Sequence, residues 1–483
     1  MKNFVPSLRP LALLVPLALL LTACASSPTE SPAPAAAPTG PPNVLFIAVD
    51  DLRPQLGCYG HPGVHSPNID ALAASGTRFA NAYCNVPVCG ASRASLLTGM
   101  RPTRTRFVDY DARIEQEAPD AKTIPGHFRE HGYYAVAIGK ILHFPDDRSG
   151  DYSEPNWRPD YDAAGDQGGW RNYLRPENRA ISARHDNGAG PPFEAADVPD
   201  TAYYDGQTAQ RAVEKIAELS QRDQPFFLGV GFLKPHLPFT APQRYWDQYD
   251  PAQFELPPTY FRAEGTPEAI YHNSGELRFG YAGVPEQDPL PEDYARRLIH
   301  GYHACVSYTD AQIGRVLNAL DEAGVADNTV VVLWGDHGWN LGDHTIWCKH
   351  SVFSTSLRTP LIIRQPGKPA GQVSPALTEF VDLFPTLCEA AGLPRPARLD
   401  GRSLVPLLSD PDQDWSDAIY TRWKNADNVT TERYSYSEWR NDDGDHYATT
   451  LFDHRSDSLE LVNLADVPGL DSVRTRLRAR LRR

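Results

Sequence analysis

The sequence predicts a doubly wound α/β sheet, in which helices cover both faces of the sheet. Three observations predict this fold class. Four uninterrupted apolar runs, which suit strands buried on both faces, lie at 44–49, 133–138, 226–232 and 330–334. Helical patterns alternate with these runs along the chain. Each run also gives way directly to Asp, Lys or His, and ligands of such sheets bind beyond the carboxyl ends of the strands.

Helical patterns precede three of the strands, and glycines supply the stop signals of two of these helices. In the longest pattern, Tyr302, Val306 and Ile313 share one helix face, and Gly324 follows the last turn. Residues 146–200 show few helical or strand signals, so we expect a long loop of the kind that carries specificity. The predicted helices lie at 67–74, from 123 to the stop at Gly132, at 208–220 and at 293–323.

The composition excludes several classes of protein. Of the 483 residues, 41% are apolar and 22% are charged, as in soluble globular proteins and unlike a polytopic membrane protein, a coiled coil or a fully disordered chain. The formal charge of −15 speaks against a nucleic-acid partner, because phosphate contacts need a positive surface. The 44 prolines, nearly twice the usual share of ~5%, indicate long stiffened loops around the core.

The N-terminus predicts an export signal. Lys2 and Arg9 precede an uncharged apolar run, 11–21, which has the layout of a signal peptide and is short for a membrane span. The run leads into Leu-Thr-Ala-Cys24, a string that resembles the lipobox of bacterial lipoproteins, whose cysteine is acylated and becomes the new N-terminus. From the lipobox we expect residues 1–23 to be removed. The alternative is an ordinary signal peptide in which the cysteine occurs by chance.

The segment after the signal predicts a tether. Residues 24–42 contain six prolines among Ala, Ser and Thr, a composition that forms an extended spacer and no core. We expect the protein to be lipid-anchored in the bacterial cell envelope, at the outer membrane on its periplasmic or surface face. Ser26 supports this location, because inner-membrane retention is associated with Asp there. The membrane is then a partner only through the lipid anchor.

Two acidic motifs at strand ends indicate a metal site. Asp50 and Asp51 are adjacent carboxylates, and their mutual repulsion is relieved when a cation lies between them. Hard oxygen ligands suit calcium or magnesium. Asp336 and His337 can complete the site from another strand. The alternatives are a solvated loop or helix cap for the first pair and a simple turn for the second.

The most informative segment is 89–99, Cys-Gly-Ala-Ser-Arg-Ala-Ser-Leu-Leu-Thr-Gly. It resembles the signature of type I sulfatases, the formylglycine-dependent branch of the alkaline phosphatase superfamily. That signature is Cys or Ser, any residue, Pro or Ala, Ser, Arg, a hydrophobic stretch and Thr-Gly. Ala91 stands where Pro is the more familiar residue. This difference affects which maturation enzyme would recognise the chain. A helix beginning near Ser92 would point its positive end at the sulfate.

Within that family the chain is similar to iduronate-2-sulfatase-like members. His143 lies three residues after Lys140, and His337 follows Asp336 where many sulfatases have Asn; both features match this subgroup. The other matching strings are 50–54, 56–60, 66–70 and 234–239.

The resemblance covers residues 43 to about 464 and also implies a domain organisation. It implies a large mixed sheet flanked by helices, followed by a smaller C-terminal α+β subdomain. The expected divisions are the lipoprotein signal peptide 1–23, the tether 24–42, the catalytic domain 43–385 and the C-terminal subdomain 386–483.

By this resemblance, Cys89 is the catalytic residue. A formylglycine-generating or equivalent maturation enzyme oxidises it to formylglycine, whose hydrate attacks sulfur with one hydroxyl and expels sulfate with the other. The full implied set is catalytic Cys89, Arg93, Lys140, His143, His236 and Lys349, substrate-binding Lys234, Trp339 and His344, and calcium-binding Asp50, Asp51, Cys89, Asp336 and His337.

The resemblance also implies a division of roles among these side chains. Arg93 hydrogen-bonds the hydrated residue 89, and Lys140 and Lys349 contact the sulfate oxygens as fixed cations. His236 is the candidate general acid for the leaving alcohol, and His143 the candidate for the proton transfer that regenerates the aldehyde.

These observations predict an exported bacterial sulfatase that hydrolyses sulfate esters of carbohydrates, with the 2-O-sulfate of a uronic acid in a sulfated polysaccharide as the expected substrate. One alternative is a phosphatase or phosphodiesterase of the same superfamily, which would use an unmodified Ser or Thr and two zinc ions held by more histidines. A second alternative is an inactive lipoprotein that binds sulfated glycans.

Overall fold

The computed structural model describes Met1 and residues 40–159, 169–185 and 187–481. The predicted signal peptide, Cys24 and most of the predicted tether therefore lie outside the described residues. None of the helices in the described part combines the length and the apolar character needed to cross a membrane.

Strands and helices alternate through most of the described chain. The strands are β1 (Asn43–Val49), β2 (Thr77–Tyr83), β3 (Tyr134–Gly139), β4 (Phe193–Ala196), β5 (Phe226–Phe232), β6 (Phe239–Pro242), β7 (Thr329–Gly335), β8 (Asn340–Leu341), β9 (Trp347–Cys348), β10 (Leu361–Arg364), β11 (Gln372–Glu379), β12 (Ile419–Trp423), β13 (Ala426–Thr430), β14 (Tyr434–Arg440) and β15 (His446–Asp453). The helices are α1 (Pro67–Ser75), α2 (Cys89–Thr98), α3 (Ile114–Glu117), α4 (Ile124–Glu130), α5 (Pro176–Ser182), α6 (Tyr204–Leu219), α7 (Gln243–Trp246), α8 (Gly275–Arg278), α9 (Glu292–Glu322), α10 (Ser354–Leu357), α11 (Leu383–Ala390) and α12 (Asp471–Leu481).

A seven-stranded sheet in the order β11-β2-β10-β7-β1-β5-β3 forms the centre of the molecule. The four strands predicted from apolar runs are β1, β3, β5 and β7. They lie side by side and parallel, in the order β7-β1-β5-β3. All of their residues except the first of β3 are buried, as their uninterrupted apolar character predicts.

Two separate hydrophobic cores lie on the two faces of this sheet. In β1, Phe46 belongs to one core, with residues of α2, α4 and α11. The next residue, Ile47, belongs to the other core, with residues of α1, α6 and α9. Successive side chains of a strand point to opposite faces, and each buried aliphatic or Phe side chain contributes roughly 1.5–3 kcal/mol relative to exposure. The predicted doubly wound arrangement is therefore confirmed.

The remaining strands make the sheet mixed, as the family resemblance implies. β10 runs antiparallel to both β7 and β2, and β11 pairs parallel with β2 at the edge. The register between β11 and β2 shifts between Ser374 and Leu377, where Pro375 interrupts the apolar pattern. Proline lacks the N–H that a central strand needs, so an edge position with a local irregularity suits it.

The structure corrects three details of the predicted elements. The nucleophile helix α2 begins at Cys89 and not near Ser92. α6 begins at Tyr204, four residues before the predicted start at Thr208. The region 146–200, predicted as a long loop, contains α5 and β4, and β4 pairs with β6. Both elements are short, which is why no periodic pattern marks them.

A separate antiparallel sheet, β12-β13-β14-β15, forms the C-terminal part, and α12 packs against it. Its first two strands are joined by a two-residue turn, Lys424 and Asn425. Lys424 has a left-handed backbone with φ of 46°. The expected boundary after residue 385 falls within α11, and its position stays a prediction.

Candidate active site

The carboxyl ends of the four parallel strands meet at one edge of the sheet. Val49 pairs with both Phe232 and Gly335, and Gly139 pairs with Gly231, so the four chains leave the sheet at nearly the same level. The predicted residues that follow these ends are Asp50, Asp51, Lys140, His143, Lys234, His236, Asp336 and His337.

Helix α2 places the predicted nucleophile at its first residue. Cys89 is 3% exposed, and its Sγ lies 3.4 Å from His143 Nδ1. The unpaired N–H groups of the first turn give this helix end a partial positive charge. Burial raises the pKa of the Cys89 thiol, but the charges of Lys140 and Lys349 outweigh burial and lower it overall. The site therefore favours an anionic group at position 89.

One turn further along α2, Arg93 links the two acidic motifs. Its Nε donates to Asp336 Oδ2 at 2.9 Å, and its Nη2 donates to Asp50 Oδ1 at 3.3 Å. Lys140 Nζ forms an ion pair with the other oxygen of Asp50. Arg93 is fully buried, so these contacts are shielded from water. The predicted hydrogen bond from Arg93 to residue 89 stays a prediction, because the guanidinium contacts described here go to carboxylates and backbone carbonyls.

The predicted metal ligands come together in two overlapping groups. In each group, one ligand atom per residue lies within 4.8 Å of all the others. The groups are Asp50, Cys89, Asp336 and His337, and Asp50, Asp51 and His236.

His337 provides the test of whether a cation fits. Its Nδ1 lies 2.9 Å from the Gly338 carbonyl oxygen, so Nδ1 carries the proton and Nε2 presents its lone pair. That Nε2 is buried and lies 3.3 Å from Asp51 Oδ1 and 3.6 Å from Asp336 Oδ1. A lone pair that faces two carboxylate oxygens is unfavourable unless a cation lies between them. The residues therefore fit a metal ion, and the three carboxylates favour a hard ion such as calcium.

The charges around the two adjacent aspartates are unequal. Burial would raise the pKa of Asp50, but Lys140, His236 and Arg93 outweigh it and hold that pKa well below its usual range. Burial raises the pKa of Asp51 well above its usual range, because the carboxylates around it offset the charge of Lys349. An ionised Asp51 needs additional positive charge, which a divalent cation would supply.

Glu276 is a site residue that sequence reasoning missed. Its Oε1 lies 2.7 Å from Lys349 Nζ and 3.2 Å from His236 Nε2. Burial and the charge of Lys349 lower the pKa of His236 to about 4, against the opposing effect of Glu276. Glu276 lies in the four-residue helix α8, within a proline-rich region that has no periodic pattern. No signal in the sequence distinguished it from the other surface carboxylates.

A cavity of about 520 Å³ opens over Cys89; we call it the catalytic cavity. Trp170 lies edge-on to the His236 ring, with centroids 5.1 Å apart. Arg171 stacks over Trp170, 4.8 Å from the ring centroid. The wall includes Cys89, Tyr110, His143, Trp170, Arg171, His236, Glu276, Tyr281, Lys349 and His350.

The three predicted substrate-binding residues are absent from the described wall of this cavity. Lys234 Nζ donates to the carbonyl oxygens of His236 and Pro238, at 2.8 and 2.6 Å, and so holds the loop that carries His236. Trp339 lies under Lys349 Nζ, 5.0 Å from the ring centroid. His344 is buried, and its ring stacks on a phenylalanine with centroids 4.0 Å apart. All three side chains thus lie behind the described wall, and their substrate-binding role stays a prediction.

Two family models match the chain. The Sulfatase model matches residues 42–393, and the model of the C-terminal part of N-sulphoglucosamine sulphohydrolase matches residues 342–483.

Individual proteins agree with the first match. Iduronate 2-sulfatase of Mus musculus is 35% identical over 402 residues, which are 76% of this chain and 72% of that protein. A sulfatase of Formosa agariphila is 31% identical over 88% of this chain and 83% of that protein. Among solved structures, phosphonate monoester hydrolase of Silicibacter pomeroyi superposes with a TM-score of 0.76 at 26% identity, covering 91% of this chain and 94% of that one. The family match, the relatives and the cysteine at the helix end agree, and the chain belongs to the sulfatase family of sulfuric ester hydrolases.

Proposed function

We propose that this sulfatase hydrolyses sulfate esters of carbohydrates, using formylglycine at position 89 and a calcium ion. The observation that carries the proposal is the position of Cys89. It lies at the positive end of α2, and its Sγ lies within 4.8 Å of ligand atoms of Asp50, Asp336 and His337.

The side chains around position 89 account for the steps of ester hydrolysis. Formylglycine supplies a nucleophile that can release sulfate after attack, and a bound calcium ion supplies positive charge at the sulfate oxygens. Lys140 and Lys349 are buried, fixed cations beside the same position and cost no reorganisation when charge develops. His143, in contact with residue 89, and His236, on the cavity wall, are the candidates for the two proton transfers.

We further propose a 2-O-sulfated uronic acid as the substrate sugar. The similarity to iduronate 2-sulfatase supports this choice. A uronate needs a cation for its carboxylate, and Arg171 on the cavity wall can supply one. Its guanidinium lies over the rings of Trp170 and Tyr281 in that wall. A guanidinium binds a carboxylate through two parallel hydrogen bonds.

The test is a desulfation screen with protein purified from its natural host, in which the state of residue 89 is read by mass spectrometry. We expect turnover of sulfated saccharides that carry a 2-O-sulfated uronate. Cys89→Ala should abolish turnover and leave the fold unchanged by circular dichroism, and Cys89→Ser should be inactive unless the host also converts serine. Cys58→Ala, which alters a half-buried thiol outside the cavity wall, is the control.

Two results would contradict separate parts of the proposal. Wild-type turnover by Cys89→Ala would contradict the formylglycine mechanism. Cleavage of a 6-O-sulfated hexosamine without cleavage of any 2-O-sulfated uronate would exclude the uronate and leave the sulfatase assignment intact.

A second candidate activity is hydrolysis of phosphonate or phosphate esters. The structural similarity to a phosphonate monoester hydrolase favours it. The same screen should therefore include phosphonate monoesters and phosphate mono- and diesters. Preferential turnover of these esters, or two stoichiometric zinc ions in active protein, would favour the phosphatase branch.

A further inference from the structure

A second cavity, of about 490 Å³, adjoins the catalytic cavity. Tyr110, Glu276 and His350 line both cavities, so the two lie side by side and share a wall. The volume of the second cavity lies within the ~300–1,000 Å³ typical of small-ligand sites. No residue predicted from the sequence lies in its described wall.

The far wall of the second cavity comes from the C-terminal sheet. Trp423, at the end of β12, stacks on His350 with ring centroids 5.1 Å apart and an interplanar angle of 26°. Lys424, in the strained turn that follows, places its Nζ 3.5 Å from Oδ2 of Asp109, which also lines the cavity. A left-handed backbone at a residue other than glycine is unfavourable, and such residues concentrate at ligand-binding positions. The turn is thus fixed against the wall of the catalytic cavity.

The side chains of this wall suit a sugar ring. Tyr110 and Tyr447 are 57% and 53% exposed, so a large part of each residue is accessible to the C–H faces of a pyranose. The side-chain amides of Asn273 and Asn425 offer hydrogen bonds to hydroxyl groups. Apolar faces combined with a few fixed polar groups are typical of a specific small-ligand site.

We propose that the second cavity binds the sugar next to the sulfated one in the same glycan chain. This inference rests on the proposed function. The shared wall places a ring in the second cavity beside the ring whose sulfate faces Cys89. The enzyme would then recognise at least a disaccharide, and the C-terminal sheet would contribute directly to substrate binding.

The test compares two substrates with the same terminal sulfated sugar, one a monosaccharide and the other an oligosaccharide. We expect the wild type to have a higher kcat/KM for the oligosaccharide. Tyr447→Ala should lower that kcat/KM by about three- to tenfold, because it removes one aromatic stacking contact. The kcat/KM for the monosaccharide should stay unchanged. Asn425→Ala should act in the same direction. Phe261→Ala is the control, because Phe261 is also half exposed and lies outside both walls.

Three outcomes would overturn the inference while leaving the proposed function intact. They are equal kcat/KM values for the two substrates in the wild type, variants that behave like the wild type on the oligosaccharide, and variants that lose activity equally on both substrates. Turnover of p-nitrophenyl sulfate serves as the reference. If the wild type hydrolyses this ester but no sulfated sugar, the proposed carbohydrate function fails and the inference fails with it.

Discussion

Asp51 is a carboxylate that is unfavourable in its surroundings for several reasons. It is fully buried, follows another aspartate, and has a left-handed backbone with φ of 59°. Its carboxylate lies 3.1 Å from Lys349 Nζ and 3.3 Å from His337 Nε2, and its N–H donates to Asp336 Oδ1 at 3.0 Å. A strained backbone of this kind costs about 1–3 kcal/mol and persists only where its surroundings fix it. A cation bound between these carboxylates would reduce their repulsion and so help to fix the surroundings of Asp51.

Removal of the metal should therefore destabilise the protein as well as inactivate it. We expect treatment with a calcium chelator to abolish turnover and to lower Tm, and calcium to restore both. Calcium at 100 times its Kd would stabilise the fold by about 2.7 kcal/mol. Differential scanning calorimetry with and without calcium measures the shift.

Matched variants show whether that shift comes from the predicted ligands. The calcium-dependent Tm shift should disappear in Asp336→Asn and persist in Asp327→Asn, which alters a carboxylate at the opposite end of β7. A Tm that is insensitive to calcium in the wild type would contradict the metal assignment.

Most of the site residues could be predicted because each belongs to a short local string. Asp50-Asp51 and Asp336-His337 follow strands, and Cys89 opens a recognisable segment. Glu276 could not be predicted, because its role comes only from its distance to Lys349 and His236 in the folded chain. The same reason applies to the C-terminal turn, whereas Trp170 and Arg171 belong to the region 146–200, which the sequence predicts to carry specificity. Individual roles within the cluster stay predictions.

At the scale of elements, the first turn of α2 controls the geometry at position 89. Gly90 follows the nucleophile and packs directly against the loop that carries Tyr110. A Cβ at residue 90 would lie 1.9 Å from the Tyr110 carbonyl oxygen, which is far inside van der Waals contact. Close packing therefore requires glycine here. Its backbone conformation does not, because the φ of Gly90 is not left-handed.

Gly90→Ala should consequently reduce both activity and stability. The helix end or the Tyr110 loop must move, and overpacking of this kind costs about 1–3 kcal/mol. We expect a large fall in kcat together with a lower Tm. Gly150→Ala provides the control, because a Cβ there would meet no atom within 4 Å. A Gly90→Ala enzyme with wild-type kcat and Tm would show that this contact does not position the nucleophile.

The elements differ in how well the sequence predicts them. β1, β3, β5 and β7 are buried on both faces and have uninterrupted apolar sequences. β10 has only four residues and β11 contains proline, so neither has a pattern that distinguishes it from a loop. The order of the strands in the sheet depends on long-range pairing, which no local pattern encodes.

At the scale of the whole molecule, the chain combines a catalytic body with an N-terminal segment that lies outside the described residues. The proposed envelope location depends on Cys24 and the proline-rich segment 24–42. The lipobox predicts an anchor that is covalently joined to the catalytic body and takes no part in its chemistry. Loss of the anchor should then change location and not turnover.

Cys24→Ala tests this independence. We expect the variant to leave the membrane fraction, because no acyl chain can be attached, and to retain the kcat of the wild type. Fractionation of cell envelopes, followed by immunoblotting and an activity assay of each fraction, measures both properties. Cys58→Ala should stay with the membranes. A Cys24→Ala protein that remains in the membrane fraction would refute lipid anchoring at this residue.

The burial of α2 has a consequence for the order of events in the cell. All ten of its residues are buried, including Cys89 and Arg93. A maturation enzyme that reads this segment as an extended peptide can reach it only while the nascent chain is still unfolded. Each molecule would then have one opportunity to be activated, between its synthesis and its folding. A molecule that folds first would keep its thiol, and later addition of the maturation enzyme would not rescue it.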